Sequence, residues 1–196
     1  MRYILFTLIF LPLLSLAQLR DSVYIKTSIF DVVYSEKLQQ PKWIEYSVLC
    51  SEGTISRKGL DFYPVKGIVT SNHDDYENNV YDKGHLAPAA DFNCNKEQLK
   101  QTFSYLNCVL QHEKLNRGAW RLLEAHERDL GAANKDVEVV IILDFESGSK
   151  LPSGATVPNG FWKTIKIKGK PVECYYFPNT KPVSTDYKKF LVKTCF

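Results

Sequence analysis

Thiolate pairs, a strong charge bias and a second long apolar run are all missing from this sequence. No C-x-x-C pair occurs among the five cysteines, so a zinc site built on thiolates is not expected. The formal net charge is only +3, and a chain without Arg2 would carry +2. That balance says nothing about nucleic acid, and any attraction to phosphates has to come from a local basic surface. Outside Ile4–Leu16 no apolar stretch approaches the roughly 20 residues a membrane span needs. Internal repeats, low-complexity tracts and linkers are absent too. A chain of 196 residues with ordinary apolar content then suits one domain with a real core, expected over Gln18–Phe196.

What is present begins with a leader. Met1–Ala17 has a charged start at Arg2, an apolar middle and the small-residue end Ser15-Leu16-Ala17. This is the pattern of a secretory signal peptide. It predicts a secreted or periplasmic chain without stable membrane association. In an exported chain Cys50, Cys94, Cys108, Cys174 and Cys195 can form disulfides, with one left over. Cys174 with Cys195 would pin the C-terminal tail. Cys94 with Cys108 is the weaker pairing, and buried free thiols are the alternative to both.

Periodicity sketches the elements. Asp21–Ser35 alternates and is rich in β-formers, which predicts one or two strands, and Gln39-Gln40-Pro41 predicts a break before a strand over Trp43–Leu49. Ser51–Asn79, interrupted by glycine and proline, reads as loop with short strands, with His73, Asp74 and Asp75 solvated in it. Val80–His85 should be a strand and Asn95–Phe103 a short helix, with Asn95 as its cap and Gln98 as capping-box partner. Ser104–Leu110 should be a second strand. Leu115–Leu130 has helical periodicity, with Gly131 as its stop. Strands are expected over Val137–Phe145, Phe161–Lys168 and Val172–Phe177. A short helix over Pro182–Lys193 would be capped by Ser184 or Thr185.

The run from Tyr81 to Glu124 carries the chemistry. It holds Asp82, Lys83, Gly84, His85 and Pro88, then Thr102, Phe103, Asn107 and Gln111, then Leu115, Asn116, Gly118, Trp120, Leu123 and Glu124. In order and spacing these residues resemble the motif series of the DNA/RNA non-specific endonucleases, the DRGH nucleases of the ββα-metal group. Val157, Pro158, Phe161, Trp162 and Lys163 fit a further pattern of that family, and the resemblance covers roughly Gln40–Asn179. Lys83 stands where the family has arginine, and Leu110 where it has proline. Lysine keeps the charge but loses the bidentate fork.

The resemblance implies an α+β fold, a central antiparallel sheet with a ββα-metal finger (the His-Me finger). It implies a Mg²⁺-dependent endonuclease, with Mn²⁺ as a substitute, cutting DNA and RNA with little sequence preference. His85 would be the general base, since imidazole titrates near working pH. Asn116 would anchor the metal through its amide oxygen, and Asn107 and Glu124 would orient bound water. Lys83 and Arg57 would neutralise the phosphate. Asp82 would fix the loop, and Trp120 would pack in the core. A homodimer stays open. Two other readings compete: a catalytically inactive nucleic-acid-binding protein on the same fold, and a hydrolase using Cys94 or Cys108 as nucleophile.

Overall fold

The structure, a computed structural model, describes residues 18–134 and 136–195. The expected leader over Met1–Ala17 therefore lies outside the described residues. Among these, no helix is long and apolar enough to cross a membrane.

Among the described residues eight strands build two sheets: β1 (Val23–Lys26), β2 (Phe30–Ser35), β3 (Gln40–Ser47), β4 (Tyr81–His85), β5 (Cys108–His112), β6 (Val137–Asp144), β7 (Gly160–Ile167) and β8 (Glu173–Pro178). Six of them form one antiparallel sheet in the order β1-β2-β3-β6-β7-β8, while β4 and β5 pair separately. The expected break at Gln39-Gln40-Pro41 falls earlier than the sequence suggests. Gln39 takes a positive φ of 53° and closes the turn, and Gln40 and Pro41 already belong to β3. Proline is tolerated there because β3 meets β6 only from Trp43 onward, so the missing N–H costs no ladder bond on that side.

The helical side begins with α1 (Lys96–Gln101), where Asn95 accepts from the N–H groups of Glu97 and Gln98 as expected. The segment from Ser104 differs from expectation. Ser104 caps a tight turn over Tyr105–Asn107, and the strand starts only at Cys108. β5 then passes directly into a helix. His112 caps it, and α2 (Glu113–Leu115), a π turn (Asn116–Trp120) and α3 (Arg121–Ala133) follow without a gap. Gly131 does not stop α3. A Cβ there would stand 2.7 Å from Val48 Cγ1, so this glycine serves the packing of helix on sheet.

The core lies between sheet and helix. Val32, Ile44, Val139, Ile141 and Phe161 meet Leu115, Ala119, Trp120 and Leu123. Trp120 is fully buried, its ring centroid 5.3 Å from Phe161 and 5.5 Å from Phe177. Beneath it Lys163 of β7 is fully buried. Its Nζ lies 2.6 Å from Glu127 Oε1 and 4.4 Å from the Trp120 ring centroid.

Two disulfides close the fold. Cys174–Cys195 forms as expected and ties the tail to β8. Cys94 pairs with Cys50, three residues beyond β3, not with Cys108. Cys108 opens β5 with no exposed surface, its thiol donating to Tyr76 Oη at 3.3 Å. The tail itself forms one turn over Tyr187–Phe190 capped by Asp186, shorter than expected and with neither Ser184 nor Thr185 as cap.

Candidate active site

One cleft of about 650 Å³ opens between β4, the helix and the loop before β4. Arg57, Lys83, His85, Asn116 and Glu124 all line it. They come from four places in the chain and converge because β4, β5 and α2–α3 fold as a ββα unit.

His85 ends β4. Its ring is held between Phe62, with centroids 4.6 Å apart, and Phe103, at 4.8 Å and nearly perpendicular. Nε2 is closed off from solvent and has no hydrogen-bond partner among the described residues. Burial, helped by the nearby Arg57 charge, pushes the imidazole down to about 3, so it is neutral through the physiological range. Gly84 lies in regular strand. Its role is clearance, since a Cβ would sit 2.5 Å from Gln111 Oε1.

Asn107 stands outside the cleft lining. It is fully buried and clamps the backbone that follows His85. Its Oδ1 accepts from the Ala87 N–H at 2.7 Å, and its Nδ2 donates to the carbonyls of Ala87 and Thr102, each at 2.9 Å. Its side chain is therefore committed to positioning. Leu110 has a comparable explanation. Its N–H donates to the buried Gln40 Oε1 at 3.0 Å, a bond that a proline could not make.

Asn116 lies one turn inside the helix rather than at its cap. Its Nδ2 donates to Asp82 Oδ2 at 2.9 Å, and Asp82 also accepts from Arg117 Nε at 2.9 Å and Nη2 at 2.6 Å. Asp82 thus fixes the amide by its nitrogen end. No described residue donates to Oδ1, so the oxygen that suits a hard cation is free. The π turn contains Gly118 at φ −108° and ψ −112°, and such bulges often mark functional sites. Glu124 follows on α3. Burial raises its carboxyl to about 7, with Lys163 opposing and Glu127 adding to the rise.

Arg117, Arg121 and Arg128 also line the cleft, and the sequence reading missed them. Arg117, Arg121, Glu124 and Arg128 recur at intervals of four, three and four on one helix, a signal of a single polar face that periodicity alone could have revealed. Five cations therefore face one carboxylate in the lining. Neither Cys94, in its disulfide, nor Cys108, buried and with its thiol pushed up by that burial, is available as a nucleophile.

Residues 16–194 match the family described as DNA/RNA non-specific endonuclease. The chain belongs to that family. Among relatives, the mitochondrial nuclease EXOG of Xenopus laevis is 28% identical over 180 residues, covering 80% of this chain and 50% of its own. A nuclease of Serratia marcescens is 32% identical over 124 residues, 57% of this chain and 45% of its own. The chain thus spans half or less of the length of these relatives. The crystal structure of an EndoG/EndoGI complex superposes with a TM-score of 0.74 at 24% identity, covering 86% of this chain and 79% of that one. This likeness shows the fold, the mixed α/β architecture with an antiparallel sheet expected of the endonuclease family.

Proposed function

We propose that this chain is an exported, metal-dependent endonuclease that hydrolyses phosphodiester bonds in DNA and RNA with little sequence preference. The observation that carries this reading is the cleft itself, where a neutral imidazole and an unpaired amide oxygen share a lining of five cations. The reading takes Gln18–Phe196 as one domain released from the leader Met1–Ala17.

His85 acts as the general base. With Nε2 shut off, Nδ1 is the ring nitrogen left to take a proton from the attacking water. Its low pKa keeps it ready to accept but limits its basicity, so the water must be made more acidic by its surroundings. Mg²⁺, or Mn²⁺ in its place, held through Asn116 Oδ1 would supply charge neutralisation at the phosphate. The residues fit such an ion: Asp82 holds the amide by its nitrogen, which leaves the amide oxygen for a hard cation. Glu124 orients water in the cleft, and Arg57, Lys83 and Arg128 bind the non-bridging oxygens. Contacts of this type go to the backbone, which is why little base preference is expected.

The test is digestion of plasmid and of RNA by residues 18–196 in Mg²⁺ and in EDTA, beside His85→Ala. Cleavage that needs the metal and falls by about 10²–10⁴-fold in the variant is expected. Intact substrate with folded protein across several divalent metals would leave the inactive binding protein as the better reading.

A further inference from the structure

The cleft lysine is not a free side chain. Lys83 Nζ donates to Asp61 Oδ1 at 3.0 Å and lies 2.8 Å from His73 Nδ1. Each acceptor is itself fixed. Asp61 Oδ1 also accepts from the Phe62 N–H at 2.8 Å, and Phe62 is one of the rings that holds His85. The Lys83 hydrogen bond is also the leading cause that holds the Asp61 carboxyl below the usual range. His73 opens a short helical turn capped by Asn72, and its Nε2 meets Glu77 Oε1 at 2.9 Å. A carboxylate at Nε2 requires the proton there, which leaves Nδ1 as the acceptor for lysine.

Resting on the nuclease reading above, we propose that His73 and Asp61 are positioning residues that hold the Lys83 ammonium for a substrate phosphate. The argument is geometric. An arginine would carry its own rigid fork, whereas a lysine is a point charge on a flexible four-carbon stem. An ammonium has three N–H donors. Two are directed by His73 and Asp61, and the third remains for the cleft. Magnitudes favour positioning over stabilisation. The His73, Glu77 and Asp61 side chains are 61%, 54% and 71% exposed, and such surface pairs contribute about 0–1 kcal/mol to folding. Lys83 is only 17% exposed, so its placement is what these contacts decide.

A double-mutant cycle in Mg²⁺, read as initial cleavage rate of a short DNA duplex, tests this. His73→Ala should lower the rate about 10-fold, within the range of coupled neighbours, and His73→Asn, which keeps an acceptor near the Nδ1 position, should restore it to within about 2-fold. In a Lys83→Arg background, whatever its own rate, His73→Ala should change cleavage by less than about 2-fold. Equal losses in both backgrounds would make His73 merely structural and overturn the proposal. A readout without turnover accompanies it: the ¹⁵N shift of His73 Nδ1 should report a hydrogen-bonded acceptor in the wild type and lose that signature in Lys83→Met. An unchanged shift would overturn the proposal whether or not the chain cleaves. A wild type that fails to cleave while showing the shift change would sink the nuclease reading and leave the Lys83–His73 pairing standing.

Discussion

The six-stranded sheet and the ββα unit are stabilised in different currencies. On the sheet, most inner residues of β2, β3 and β6 are aliphatic or aromatic, with Ser35 and Gln40 the buried polar residues of β2 and β3, and the ladders satisfy the backbone. Around the ββα unit, buried positions include Asn107, Gln111, Asp91, Glu127 and the incoming Lys163. Some polar atoms there have no partner among the described residues, including Asp91 Oδ2 and both amide atoms of Gln111. Burial, with Glu127 and Glu124 close by, pushes Asp91 well above the usual carboxylate range, against Arg128 and Lys163. Apolar burial tolerates small changes of shape, whereas buried charge tolerates little change of partner. The lesson is that the sheet supplies stability and the unit beside it uses some of that stability to keep unfavourable groups beside a cleft.

The point where the two regions meet should break most severely. Lys163 enters from β7 and pairs with Glu127 of α3, which also accepts from Tyr46 Oη of β3 at 2.7 Å. Lys163→Met keeps the volume and removes the charge, leaving Glu127 with no counterion near Glu124 and Asp91. Removing one member of a buried pair costs about 3–5 kcal/mol. Urea unfolding at neutral pH should show that loss. A stability within error of wild type would mean that the pair is solvated in solution and that the contrast between the regions is overstated.

Glu124→Gln should sharpen the comparison by acting in opposite directions on stability and cleavage. Its folded pKa, raised from 4.5 to about 7, exceeds the unfolded value. The folded state therefore binds more protons between those values, and stability falls as pH rises through that window. Glutamine removes this penalty. In metal-free protein the variant should be more stable than wild type above neutral pH by about 3 kcal/mol, with the gain vanishing in acid. Its cleavage rate should fall. Thermal unfolding across pH, in EDTA, checks the sign, and a variant destabilised above neutral pH would show that Glu124 is a favourable ion-pair partner instead.

The same contrast governs what was legible in the sequence. Strands such as β6 follow from alternation and apolar runs because sheet packing is governed by area. Lys83, His85, Asn116 and Glu124 of the cleft were legible as well, through a spaced motif rather than periodicity, whereas Arg117, Arg121 and Arg128 were missed. What escaped were features set by contacts between distant segments. Gly131 has the composition of a helix stop, yet the approach of Val48 explains it. Lys163 alternates onto the face of Ile165 and Ile167, opposite Lys166 and Lys168, but only the position of Glu127 across the core accounts for a buried lysine there. Cys50 lies 44 residues from Cys94, and nothing local to either names the other. His73 lies in a polar stretch with no spacing relation to Lys83, so its contact with that lysine had no local signal.

The smallest expected effect comes from the sheet and completes the comparison. Ile44 lies in β3, fully buried, paired with Val32 on one side and Ile141 on the other. Ile44→Val removes one methylene and no polar atom. The loss of transfer energy plus a small void should cost about 0.5–1.5 kcal/mol. No hydrogen bond or charge of the cleft depends on this side chain, so cleavage in Mg²⁺ should stay at the wild-type rate while the urea midpoint falls. If cleavage falls in proportion to stability, sheet and cleft are one mechanical unit, and the polar groups of the ββα unit are held by the packing of the whole core. If it does not, the clamps at Asn107 and Asp82 are enough to hold the cleft against changes in the sheet behind it.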